Sequence, residues 1–124
     1  MSRDTDDFGE RGEAVASAVL ARKGYRIIER NYRSRWGELD VVAYDGATLV
    51  FIEVKSRRGS RFGEPVYAID QRKRARLVRM AQQYLVSRRL GEPLCRFDIV
   101  VVDERGPGPP RVDVIPNAFD ASPG

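Results

Sequence analysis

Two β-rich runs, Glu38 to Tyr44 and Thr48 to Lys55, with Asp45-Gly46 between them, constrain this chain more than any other feature. An Asp-Gly dipeptide takes the positive φ values of a tight turn readily, so the two runs predict an antiparallel hairpin. Upstream, Tyr25 to Arg33 reads as a further strand. Phe8, Val15, Ala16, Val19 and Leu20 recur at helical spacing, and Gly24 follows as a left-handed cap. That pattern predicts a helix from about Asp7 to Lys23.

Downstream, Pro65 to Ile69 leads to Asp70, a natural N-cap, and Leu77, Met80, Ala81, Tyr84 and Leu85 then mark one face of a second helix. Gly91 and Pro93 close it. Phe97 to Val102 suits a buried strand, and Arg111 to Ile115 a last edge strand after the Gly106-to-Pro110 linker. The order α-β-β-β-α-β-β implies an α/β fold in which helices flank a mixed central sheet.

At 124 residues and 42% hydrophobic, the chain has the material for one core. The expected organisation is a flexible N-terminus at 1–7, a single domain at 8–116 and a frayed tail at 117–124. No apolar run approaches the roughly 18 residues of a membrane span. The segment Met1 to Asp7 is too acidic and polar for a signal peptide, which points to a cytoplasmic protein.

Absences narrow the chemistry. With no histidine, imidazole bases and His-based zinc sites drop out. The single Cys95 forms no internal disulfide and reads as a small buried hydrophobe ahead of Phe97. No Gly-rich loop ends in Lys-Ser or Lys-Thr, so phosphate binding on a P-loop is unsupported. Catalysis by such a chain has carboxylates, lysines and a metal to draw on.

Charge is strongly polarised. Lys55 to Arg89 holds 11 Lys/Arg against Glu64 and Asp70, a net +9, while the whole chain carries +4, leaving −5 elsewhere. A solvated helix face normally mixes Glu with Lys and Arg to gain i,i+4 pairs. A run of one sign fits a phosphate-backbone footprint better, with Arg57, Arg58, Lys73 and Arg74 the expected nucleic-acid contacts.

The acids fall in a telling place. Strand alternation puts Glu38 and Asp40 on one side, Leu39 and Val41 on the other, and aligns Phe51, Glu53 and Lys55. The hairpin therefore brings Asp40, Glu53 and Lys55 to one edge. A carboxylate between Ile52 and Val54 is costly to bury unless it is paired or holds a metal. Asp40, Glu53 and the Val54 backbone carbonyl make a hard oxygen set suited to Mg²⁺ or Mn²⁺, and Glu13 on the first helix offers a further carboxylate. Such a site suits phosphodiester hydrolysis, with Lys55 placed to orient water and attract the scissile phosphate. The plainer alternative is a weak surface ion pair between Glu53 and Lys55. Trp36 reads as a core or strand-edge anchor rather than a base-stacking platform.

The motifs Gly9-Glu10-Arg11-Gly12-Glu13-x-x-Ala16, Asn31-Tyr32-Arg33, Gly37-Glu38-Leu39-Asp40, Phe51-Ile52-Glu53-Val54-Lys55-Ser56-Arg57 and Arg96-Phe97-Asp98 occur in order. Over residues 8–116 they resemble the YraN-like family of bacterial proteins, which is similar in turn to the PD-(D/E)xK nucleases and archaeal Holliday-junction resolvases. The resemblance implies a restriction-endonuclease-like fold, with Asp40 and Glu53 as metal carboxylates, Lys55 as the catalytic lysine and Glu13 as the helix-one glutamate. Leu39 stands where the motif's proline would be.

These expectations converge on a Mg²⁺- or Mn²⁺-dependent endonuclease cutting DNA, with branched structures in repair or recombination as one candidate substrate. The alternatives are a nucleic-acid-binding module without catalysis and, more remotely, an adaptor for an acidic protein. Symmetric cutting of two strands would need a homodimer, for which the sequence presents no interface pattern.

Overall fold

Along the chain, helix α1 (Arg3–Arg22) precedes β1 (Arg26–Ser34), β2 (Gly37–Asp45) and β3 (Thr48–Arg57). Helix α2 (Gln71–Ser87), β4 (Cys95–Asp103) and β5 (Arg111–Ile115) follow. The structure is a computed structural model that describes residues 3–57, 71–104 and 107–118, with side chains from Glu10 onward. Arg58, the Pro65-to-Ile69 lead-in, the Asp70 cap and the side chain of Phe8 lie outside the described residues.

The element order agrees with the sequence pattern. Helix α1 starts four residues before the expected Asp7, because Arg3 to Asp7 carries no apolar periodicity to mark it. The hairpin forms with its turn one residue later than expected. Asp45 pairs with Thr48, leaving Gly46 (φ 61°) and Ala47 as the two-residue loop. Glycine at the first central position supplies the backbone that a β-branched or larger residue would resist.

The five strands lie in the order β1-β2-β3-β4-β5. All neighbours are antiparallel except β3 and β4, which run parallel and are joined by the segment containing α2. Such a crossover needs the length that α2 and its approaches provide. The sheet buries both faces. On one, Leu77, Met80, Ala81 and Tyr84 of α2 pack on Leu39, Val42, Phe51, Phe97, Ile99 and Val101. On the other, Ala16 and Leu20 of α1 pack on Val41, Ala43, Val50, Ile52, Val100 and Val102. Two-sided burial explains why β4 reads as a near-continuous apolar run.

Two expectations need correction here. Leu39 and Val41 do not share a face: Leu39 joins the α2 side and Val41 the α1 side, so alternation breaks at Asp40. Opposite Asp40, between the pairs Arg30↔Val41 and Tyr32↔Leu39, Asn31 adopts φ 57°, a left-handed conformation that asparagine tolerates better than most residues. Cys95 is exposed rather than buried, because β4 starts two residues before its apolar run.

The tail is held past Pro116. Asn117 N donates to Asp98 Oδ1 (2.8 Å) and Ala118 N to Phe97 O (2.7 Å). Asp98 is 1% exposed and also receives Tyr25 Oη (2.8 Å) and Arg96 Nε (2.9 Å). A buried carboxylate with this many donors ties the start of β1, the start of β4 and the C-terminal segment together.

Candidate metal centre

Pairing of β2 with β3 stops at Val41↔Ile52, while β2 stays with β1 as far as Gly37. The strands therefore splay at Asp40, and the Val54 N–H, which loses its ladder partner there, donates instead to Asp40 Oδ2 at 2.8 Å. That bond holds the Asp40 carboxylate in the fork beside the Val54 backbone.

Helix α1 brings a second acid to the fork. A Cβ on Gly12 would lie 1.8 Å from Ser56 Oγ and 3.0 Å from Ser56 Cβ, so only glycine lets the helix sit this close to β3. The next residue is Glu13. One carboxylate oxygen each from Glu13, Glu38 and Asp40 lies within 4.8 Å of the other two. Glu13 also receives a hydrogen bond from the Asn31 side chain, and Glu38 from Arg33 Nε at 2.9 Å.

Crowding three acids in a half-buried fork favours protons. Burial pushes the Asp40 carboxyl up to about 7, the Val54 N–H holds it back, and the charges of Glu13, Glu53 and Glu38 push it further up. Burial also raises Glu13, with Glu38 adding to it.

On the α2 side the fork opens into a cleft lined by Gly37, Glu38, Asp40, Glu53, Lys73, Arg76, Leu77 and Met80. Glu53 faces this cleft, where Lys73 Nζ from the first turn of α2 meets its Oε1 at 2.8 Å. Its Oε2 is buried without a hydrogen-bond partner among the described residues. The three converging carboxylates are a donor set that a hard divalent cation fits, and Glu53, which is not one of those three, lines the adjoining cleft with Glu38 and Asp40.

The expected residues distribute unevenly. Asp40 and Glu13 meet, Glu53 lines the same cleft, and the Val54 backbone is held against Asp40. Lys55 lies one strand repeat beyond Glu53, about 6–7 Å along β3, and outside the cleft lining. Arg57 Nη2 sits 3.3 Å from Asp103 Oδ2, a carboxylate of a residue only 1% exposed on the neighbouring strand β4. Lys73 is on Glu53, and Arg74 is exposed on α2. Sequence reasoning missed Glu38 as a member of the cluster, although the alternation Glu38-x-Asp40 was the signal for it. It also missed Asn31, whose left-handed backbone lies opposite Asp40. Trp36 is no core residue: at 39% exposure it sits on the β1–β2 turn.

Among the described residues, no helix is long and apolar enough to cross a membrane.

Comparison with known proteins places this architecture in a family. Residues 12–102 match the model of uncharacterised protein family UPF0102. A UPF0102 protein of Symbiobacterium thermophilum is 50% identical over 115 residues, covering 91% of this chain and 96% of its own. One from Moorella thermoacetica is 51% identical over 115 residues, covering 90% and 93%, and one from Pseudomonas paraeruginosa 46% over 117, covering 93% and 94%. Since the matched span runs from the glycine that seats α1 on the sheet to the end of the apolar run in β4, the chain belongs to the UPF0102, or YraN-like, family.

Proposed function

We propose that the protein is a Mg²⁺- or Mn²⁺-dependent phosphodiesterase that cuts DNA. The observation that carries this reading is the fork itself: Glu13, Glu38 and Asp40 converge within 4.8 Å, and Glu53 lines the cleft that Glu38 and Asp40 share. Those four carboxylates, with the Val54 carbonyl, would hold the cation. When bound, the cation supplies water activation and charge neutralisation at phosphorus.

The remaining roles fall to the chain's own side chains. The Val54 N–H fixes Asp40 in the orientation it needs. Arg76, at the cleft wall, draws a phosphate toward the acids, which alone would repel it. Lys73 neutralises Glu53 before substrate arrives and can re-pair, still as an ammonium, with a phosphate oxygen. Lys55, farther along β3, orients water or the scissile phosphate from the open end. Exposed Arg72, Arg74 and Arg79 on α2 give backbone contacts beyond the cut site.

A second reading has its own support. The 2.8 Å contact between Lys73 and Glu53 already satisfies one carboxylate, as in a nucleic-acid-binding module without turnover. Mg²⁺ and Mn²⁺ titrations with labelled duplex, single-stranded and four-way-junction DNA separate the two. Cleavage by the wild type that falls about 100-fold or more in Glu53→Gln and in Lys55→Met is the expected result, a loss on the order of that for removing one catalytic group. Salt-sensitive binding without cleavage, equal in all three proteins, would replace the phosphodiesterase with the binding module.

A further inference from the structure

The chain has one tryptophan, and the fold leaves it on the surface. Trp36 lies in the β1–β2 turn, where its backbone N–H donates to Ser34 Oγ (3.0 Å) and the Ser34 hydroxyl reaches Met80 Sδ (3.1 Å) on α2. The turn is thus pinned to the helix while Trp36 remains 39% exposed. Arg35 and Arg79 each place a guanidinium carbon near the ring, 5.0 Å and 4.9 Å from its centroid. None of the ion pairs among the described residues involves Arg35, Arg76 or Arg79. Two cations gathered on one exposed ring, neither in an ion pair there, make a surface suited to an anion.

Its position gives the anion an address. The residue after Trp36 is Gly37 (φ 144°), where a Cβ would come 3.4 Å from Arg76 Cδ, and both Gly37 and Arg76 line the acidic cleft. The aromatic platform therefore adjoins the mouth of the candidate metal centre.

We infer that Trp36 stacks an unpaired nucleobase of the substrate strand while Arg35, Arg76 and Arg79 hold the flanking phosphates. In a duplex each base face is covered by its neighbours, so only a single-stranded or splayed nucleotide offers a ring to the indole. An arginine lying on the ring yields its place to the base and moves to the adjacent phosphate, where its charge is better used. The substrate of the proposed phosphodiesterase is then DNA with an unpaired segment beside the cut, and that identification rests on the proposed function.

As the sole tryptophan, Trp36 reports its own occupancy. In EDTA-containing buffer at low salt, titration with a single strand of about 15 nucleotides should quench its fluorescence, and a matched duplex should leave it largely unchanged. By anisotropy of labelled DNA, Trp36→Ala should weaken single-strand binding about tenfold, with duplex binding altered less than about twofold and Trp36→Phe restoring most of the loss. Unchanged fluorescence at saturation, or equal losses on both DNAs, overturns the stacking role. Quenching is read without metal or cleavage, so an inactive protein that still quenches fails only as a phosphodiesterase, and an active one that does not fails only here.

Discussion

Replacing Asp40 with asparagine should stabilise the metal-free protein. The substituted amide would keep an oxygen for the Val54 N–H and nearly the same volume, and would remove one charge from a fork shared with Glu13, Glu38 and Glu53. The Asp40 carboxyl stands at about 7 in the folded chain, against an ordinary 3.8. Between those values the folded protein keeps a proton that the unfolded chain has released, so stability falls as pH rises through the window and is level above it. At about 1.36 kcal/mol per pH unit the full span costs the wild type about 4 kcal/mol. Screening through the open cleft reduces this to about 2–3 kcal/mol. For a chain of this size that is roughly 8–12 °C in Tm. Urea and thermal unfolding in EDTA, from pH 4 to pH 8, are the assay. The gap between Asp40→Asn and wild type should be near zero at pH 4 and open progressively to its maximum near pH 7–8. A variant no more stable than wild type at pH 8, or a gap independent of pH, would refute the claim that Asp40 is held in electrostatic strain.

Two further outcomes follow from the packing around the site. Asp98→Ala removes the buried acceptor of Tyr25, Arg96 and the Asn117 amide, and should cost about 3–5 kcal/mol in denaturant unfolding; hydrogen exchange at Asn117 should accelerate, and an unchanged rate would mean that the tail is held by other means. Gly12→Ala should destabilise by about 1–2 kcal/mol despite alanine's better helix propensity, since its Cβ would meet Ser56. Adding Ser56→Gly should recover part of that loss, and a double-mutant cycle with no coupling would dismiss the contact.

Much of the site was legible because hairpins are local objects. Once Asp45 and Gly46 set a turn between two β-rich runs, Asp40 and Glu53 had to fall near each other on neighbouring strands. The sign-pure helix likewise announced its own buried face, and Leu77, Met80, Ala81 and Tyr84 are buried as their spacing requires. Glu38 was harder to recognise. Period-2 alternation placed it beside Asp40, but its membership of the cluster depends on Glu13 arriving from α1, far earlier in the chain. Arg57 was less legible: within a basic run it looks like a phosphate contact, and only the β3–β4 pairing reveals buried Asp103 beside it.

The sequence by itself determined the order of helices and strands, the hairpin, the two buried helix faces and the concentration of positive charge in one segment. Each is set by residues close together in the chain, through backbone preference, periodicity and composition. Only the tertiary structure decided where β2 leaves β3, which acids meet in the resulting fork, how close α1 approaches through Gly12, and that Trp36 faces solvent between two arginines. The physical reason is common to all four. Each depends on contacts between segments distant in sequence, which alternation cannot register, and where β2 leaves β3 the backbone gives up a ladder bond that the Asp40 carboxylate replaces.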